Sequence, residues 1–198
     1  MEKKRNKKLL ILDLNGLLIY REYKKNLKIS TPKNKKSILG REEDFVINNF
    51  KIWIRGGKQG LHQFIENCSH KYDIAIWTSM TLRISNTIIN YLFHNNKFYN
   101  QGGGGYIHPF KFIWNQNMCQ KIPYPLDKNG KREKPHLYLK NIEKVWSVFN
   151  QYNINDIILL DDSIMKMKNN PKHSYLIINE WNNHSIDDYK DLEKLLKL

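Results

Sequence analysis

Residues Lys8 to Tyr20, KLLILDLNGLLIY, contain an apolar run, Leu9 to Leu12, that stops at Asp13. A near-continuous apolar run marks a strand buried on both faces, and all-parallel sheets of such strands belong to α/β proteins with helices on either side. Gly16, just past the carboxylate, permits a sharp turn. Asp13 is therefore expected at the C-terminal edge of a parallel sheet, where α/β proteins bind ligands. Two later stretches repeat the layout: YDIAIW, Tyr72 to Trp77, delivers Thr78 and Ser79, and IILL, Ile157 to Leu160, delivers Asp161, Asp162 and Ser163. Helix-period segments lie between them, as parallel strands require.

The 198 residues suit one domain with a full core. We divide the chain into a basic tail, 1–7, and a single domain, 8–198, with a charged flap or loop at about 21–49 and a small β insertion at about 95–135. The flap assignment follows from composition, since Arg21 to Asn49 is dense in charge. The insertion follows from the four glycines Gly102 to Gly105, the aromatic β-like segment Tyr106 to Trp114, and Pro123, Pro125, Gly130 and Pro135. The glycine run leads into no helical pattern, so it reads as a turn and not as a phosphate-cradling loop.

Apolar residues recur with helical period at Leu61, Phe64, Ile65 and Cys68, at Ile84, Ile88, Ile89, Leu92 and Phe93, and at Ile142, Val145, Trp146 and Phe149. Tyr175 to Ile178 reads as a last strand. Ser185, with Asp188 three residues on, reads as the N-cap of a closing helix that buries Tyr189, Leu192 and Leu196.

The formal net charge of +14 favours phosphates, acidic peptides or nucleic acid as partners without choosing among them. An AT-rich coding sequence accounts equally well for part of the lysine excess. Two cysteines, Cys68 and Cys119, lack zinc-type spacing and point to a reducing compartment. The first twenty residues resemble a signal peptide in outline, but Asp13 and Asn15 interrupt the apolar core. With no run of membrane-spanning length, a soluble intracellular protein of cytoplasm or nucleus is expected.

A carboxylate at one strand end beside a second acidic pair suits Mg²⁺, a hard cation that takes oxygen ligands. Asp13, Asp161 and Asp162 supply them. Such a site can hold a phosphate against an aspartate nucleophile while the metal and a lysine offset charge on the phosphoryl oxygens. Lys140 is the candidate lysine, and Lys134 is the alternative.

The ordered stretches DLNGL, IAIWTS, YLKNIEKVW and ILLDDS resemble the four motifs of haloacid-dehalogenase-type phosphatases. More narrowly, they resemble the NLI-interacting-factor-like branch that dephosphorylates the C-terminal domain of RNA polymerase II. Arg55 with Gly57 resembles the Arg-Pro-Gly that the family commonly has, and the stretch FIWNQNMC is similar to plant and large-DNA-virus members. The resemblance spans Lys8 to Trp181. It implies a Rossmann-like central parallel sheet with helices on both faces, a flap after strand 1 and a β insertion. It also implies Asp13 as the nucleophile forming an aspartyl-phosphate, Thr78 as a phosphoryl-binding hydroxyl, and Lys140 as the lysine pairing with both. Mg²⁺ would be held by Asp13, the Asn15 backbone carbonyl and Asp162, with Asp161 completing the acidic motif.

Asn15 is the main departure. The family usually has a second Asp here that protonates the leaving oxygen and then activates water, and an amide does neither. General acid–base catalysis is worth about 10² to 10⁴ in rate. The primary reading is a Mg²⁺-dependent phosphatase of phosphoserine or phosphothreonine in proteins, the RNA polymerase II tail being the named candidate substrate. The alternative is a weak or inactive phosphopeptide-binding scaffold. A nucleic-acid end phosphatase is a third reading, resting on charge alone.

Overall fold

The computed structural model describes residues 7–24, 42–93, 109–185 and 189–198. Its centre is a five-stranded, all-parallel sheet formed by β1 (Lys8–Leu12), β5 (Tyr72–Trp77), β6 (Phe110–Trp114), β9 (Ile157–Asp161) and β10 (Tyr175–Ile177), in the order β10-β9-β1-β5-β6. β1 is the middle strand. Its Leu9 to Leu12 have no exposed surface, because a central strand has a helical layer on each side.

Side chains alternate along β1 and seed two cores. Leu10 and Leu12 join Ile74 and Ile76 beneath α1 (Gly57–Lys71), α2 (Leu82–Phe93) and α5 (Lys190–Leu196). Leu9 and Ile11 join Ala75 and Trp77 beneath α3 (Ile142–Val148) and α4 (Ile164–Met167). The fold is thus α/β, a parallel sheet covered on both faces.

Two smaller sheets stand at its rim. β2 (Ile19–Tyr23), β3 (Phe45–Ile47) and β4 (Phe50–Ile54) form an antiparallel sheet in the order β2-β4-β3. The ends of the charged stretch after β1 are therefore paired strands, and residues 25–41 of the expected flap lie outside the described residues. β7 (Gln120–Pro123) and β8 (His136–Leu139) form an antiparallel pair before α3.

Several local expectations change. Phe110 to Trp114, assigned from sequence to the insertion, is the edge strand of the main sheet. It reads as a hairpin strand because an edge strand keeps an alternating pattern: Phe110, Phe112 and Trp114 are buried while Lys111 is exposed. Gly102 to Gly105 lie outside the described residues. Trp146, expected on the buried face of α3, is 45% exposed, and the helix seats itself on Ile142 and Val145 alone. The closing helix starts at Lys190 after Tyr189, so Ser185 does not cap it; the Ser185 hydroxyl instead accepts the Asn182 N–H at 3.2 Å. Asp188, its supposed partner, lies outside the described residues.

Candidate active site

The parallel register assembles the site. Leu12 is aligned with Leu160 of β9 and Ile76 of β5, so the next residues, Asp13 and Asp161, leave the sheet side by side. The Asp13 N–H donates to the Leu160 carbonyl at 2.9 Å, which extends the ladder to the carboxylate itself. Thr78 ends β5 on the other side, and its N–H donates to the Trp114 carbonyl at 2.9 Å.

Asp13, Asp161 and Asp162 each offer an oxygen within 4.8 Å of the other two. Three carboxylates this close repel one another unless cations offset them, and two lysines do so. The Lys140 ammonium, 1% exposed, donates to Asp161 Oδ2 at 2.6 Å and lies 3.0 Å from Asp13 Oδ1. The Lys166 ammonium, 17% exposed, contacts Asp13 Oδ2 at 2.6 Å, Asp161 Oδ1 at 3.0 Å and Asp162 Oδ1 at 3.1 Å. Backbone donors complete the shell: Leu14 N–H reaches Asp13 Oδ1 at 2.8 Å and Ser163 N–H reaches Asp161 Oδ1 at 2.9 Å.

Local structure explains these positions. Lys140 follows β8, and its N–H donates to the Lys166 carbonyl at 2.8 Å, so the strand end and α4 hold the two lysines together. Asn170 locks the same corner, donating to the Lys140 carbonyl at 2.6 Å and accepting the Ile142 N–H at 2.9 Å. Lys166 stands one helical turn from Asp162. Gly16 has φ +83°, and a Cβ there would sit 2.4 Å from Asp162 Oδ2. Only glycine permits both the backbone conformation and the passage of that carboxylate.

The electrostatics follow from burial and these contacts. Burial works against an ionised Asp161, but Lys140 and then Lys166 hold its carboxyl well below the usual carboxylate range. Asp162 is pushed the other way, up to about 7: burial is the main cause, Lys166 pulls against it, and hydrogen bonding with Asp161 and the charges of Asp13 and Asp161 add to the rise. Burial also opposes charge on Lys166, yet Asp13, Asp161 and Asp162 together raise it well above the usual lysine value.

Of the residues named from sequence, Asp13, Lys140, Asp161 and Asp162 come together. Thr78 is buried on the neighbouring strand end, where its hydroxyl accepts the Met80 N–H at 3.2 Å. The Asn15 Oδ1 is buried and has no hydrogen-bond partner among the described residues. Lys134 is 64% exposed and pairs with Glu133 at 3.1 Å, outside the cluster. Lys166 is absent from the sequence-derived set. The signal was present in DDSIMK, an Asp and a Lys four apart, but a search for one lysine stops at Lys140.

The donor set fits a divalent cation. Three carboxylates supply the hard oxygens that Mg²⁺ prefers, and the side-chain oxygen of Asn15, two residues after Asp13, is a buried acceptor with no hydrogen-bond partner among the described residues.

A doubly covered parallel sheet with acidic and hydroxyl residues at its carboxyl edge and a strand pair ahead of the lysine has the haloacid-dehalogenase-type fold. The chain belongs to the NLI interacting factor-like phosphatase family, whose model matches residues 8–198. Among solved structures it is similar to a variant of the fission yeast RNA polymerase II CTD phosphatase Fcp1 bound to beryllium fluoride, with 14% identity and a TM-score of 0.55, over 94% of this chain and 45% of that one. It is similar also to Fcp1 described as an essential RNA polymerase II CTD phosphatase, with 14% identity and a TM-score of 0.54, over 96% of this chain and 47% of that one. The chain thus spans about half the length of both. No curated protein matches the sequence significantly.

Proposed function

We propose that the protein is a Mg²⁺-dependent phosphatase that removes phosphate from phosphoserine or phosphothreonine in proteins, with Asp13 as the nucleophile. The observation that carries this reading is the setting of Asp13. A carboxylate 1% exposed, at a strand end, is paired with two lysine ammoniums and accepts a backbone N–H. An Asp oxygen attacks phosphorus, the P–O bond to the Ser or Thr oxygen breaks, and that oxygen takes a proton from solvent water, since the Asn15 amide does not supply one. Water then attacks phosphorus of the aspartyl-phosphate, which releases inorganic phosphate and regenerates Asp13.

Lys140 keeps Asp13 oriented and faces the charge that builds on the phosphoryl oxygens. Asp13, Asp162 and the carbonyl of Asn15 would hold the metal, with Asp161 beside them, and bound Mg²⁺ supplies electrostatic stabilisation of the transferring group. Thr78 is assigned to the phosphoryl oxygens, since its hydroxyl can still donate while accepting from Met80. The RNA polymerase II tail is the proposed substrate by analogy with the activity named for Fcp1. No helix of the described residues is long and apolar enough to cross a membrane, which agrees with a protein substrate in cytoplasm or nucleus.

Asn15 favours a second reading, a phosphopeptide-binding scaffold, because an amide donates no proton to the leaving oxygen. Phosphate release from p-nitrophenyl phosphate and from a phosphoserine peptide, with and without Mg²⁺, separates the two. The aryl phosphate has a good leaving group and needs little protonation. Release that Asp13→Asn abolishes supports the phosphatase. Absence of release from either substrate, even in Asn15→Asp, supports the scaffold.

A further inference from the structure

Lys166 has no part in the chemistry above, yet it is the most fully engaged cation in the site. An ammonium has three N–H donors, and each finds a different carboxylate: Asp13 Oδ2, Asp161 Oδ1 and Asp162 Oδ1, at 2.6, 3.0 and 3.1 Å. These are the three residues whose oxygens converge within 4.8 Å. A Mg²⁺ ion binds carboxylate oxygens at about 2.0–2.1 Å, so it and the ammonium claim the same point. Two cations cannot share it.

Lys140 is placed differently. It takes the opposite oxygens, Asp13 Oδ1 and Asp161 Oδ2, from a fully enclosed position. Lys166 comes from the mouth, retains 17% exposure, and lines a cleft of about 120 Å³ with Ser79, Tyr124, His136 and Ser163. One lysine is built in; the other has somewhere to go.

We propose that Lys166 is the resident cation of the metal position, and that a divalent ion binds by exchange, displacing the ammonium toward this cleft. The proposal rests on the reading that the carboxylate cluster takes a divalent metal. Lys166 and Lys140 place two positive charges against the three carboxyl groups. Exchange that keeps Lys166 at the rim adds the two charges of the metal to the site without losing the ammonium, so the same step makes it more favourable to a phosphate anion. Lys166 is in this sense a positioning residue: it keeps the carboxylates close and paired in the metal-free protein and sets the cost of metal entry.

The test is a titration of the full chain with Mn²⁺, read by loss of the free-ion paramagnetic resonance signal. Wild type is compared with Lys166→Met, Lys166→Gln and the exposed-site control Lys172→Met. Both Lys166 variants should bind Mn²⁺ about tenfold more tightly or better, the control should match wild type, and added Mg²⁺ should raise the melting temperature of the variants more than that of wild type. If charge removal leaves the metal-free variants unfolded, ¹⁵N-lysine spectra of wild type serve instead. The protected Lys166 ammonium signal should be present without metal and lost on adding Mg²⁺. Mn²⁺ affinity in the variants equal to or weaker than wild type, or an ammonium signal unchanged by Mg²⁺, overturns the exchange while leaving the phosphatase reading intact. Absence of Mn²⁺ binding in every form overturns the exchange together with the metal part of that reading.

Discussion

Replacing Lys140 by methionine keeps the length and apolar bulk of the side chain and removes only its charge and donors. Lys140 and both its partners are 1% exposed, with contacts of 2.6 Å to Asp161 and 3.0 Å to Asp13. Lys166 alone would then face three carboxylates. Removing one partner of a buried ion pair costs about 3–5 kcal/mol, and here the carboxylates lose one of two cations and the donor that faces Asp13 Oδ1 and Asp161 Oδ2. A domain has about 5–15 kcal/mol in total, so the loss is a large share of it. Urea unfolding followed by fluorescence of the buried Trp77 should show a midpoint lowered by about 1–2 M at neutral pH.

The effect must also depend on pH. Lys140 is the first of the cations that depress Asp161. A depressed carboxyl contributes stability that is present above its unfolded value and lost as pH falls through the folded one. The Lys140 share of that contribution is missing in the variant, where Lys166 alone lowers Asp161, so the gap between wild type and variant should narrow as pH falls. A midpoint shift under about 0.3 M at neutral pH, or a gap that widens in acid, would refute the view that Lys140 is the internal counter-charge of the site.

The remaining predictions are briefer. Asn15→Asp should raise turnover of a phosphoserine peptide by up to about 10²–10⁴ and that of p-nitrophenyl phosphate far less; equal gains on both would mean the new carboxylate acts through something other than the leaving oxygen. Gly16→Ala should cost about 1–2 kcal/mol from the left-handed backbone alone and displace Asp162, whose Oδ2 a Cβ would approach to 2.4 Å. Thermal melting and Mn²⁺ titration of that variant should both show losses. Burial pushes the Cys68 thiol up to about 12 and raises Cys119 as well, so both stay protonated when folded and ionise at ordinary pH when unfolded. Their contribution to stability is present below about pH 9 and lost as pH rises toward the folded values. Alkaline urea titrations should show that fall, and Cys68 should resist thiol reagents until the chain unfolds.

Much of the site was legible because its signals are local. A buried strand needs a continuous apolar run, and a polar residue can follow only where the strand leaves the sheet, so Asp13, Thr78 and Asp161 mark their own positions. Three of the ordered motifs fall on β1, β5 and β9, the three neighbouring strands whose ends carry these residues. Phe110 to Trp114 was misread for the same local reason: an edge strand alternates like a hairpin strand, and only pairing with β5 distinguishes them. Trp146 follows a helical period yet lies at the edge of a seven-residue helix whose contact is exhausted by two residues.

By itself, then, the chain's order of apolar runs and strand-end residues determined the α/β class, the central strand and the acidic cluster. Only the tertiary structure decided that Lys166 meets that cluster beside Lys140. The deciding contact is the backbone hydrogen bond from Lys140 to Lys166, 26 residues on, which joins a strand end to a one-turn helix and brings a second ammonium among the carboxylates. Strand ends are set by neighbours in sequence, and the four-residue spacing of Asp162 and Lys166 encodes one ion pair, but the contacts of Lys166 with Asp13 and Asp161 are set by proximity in space.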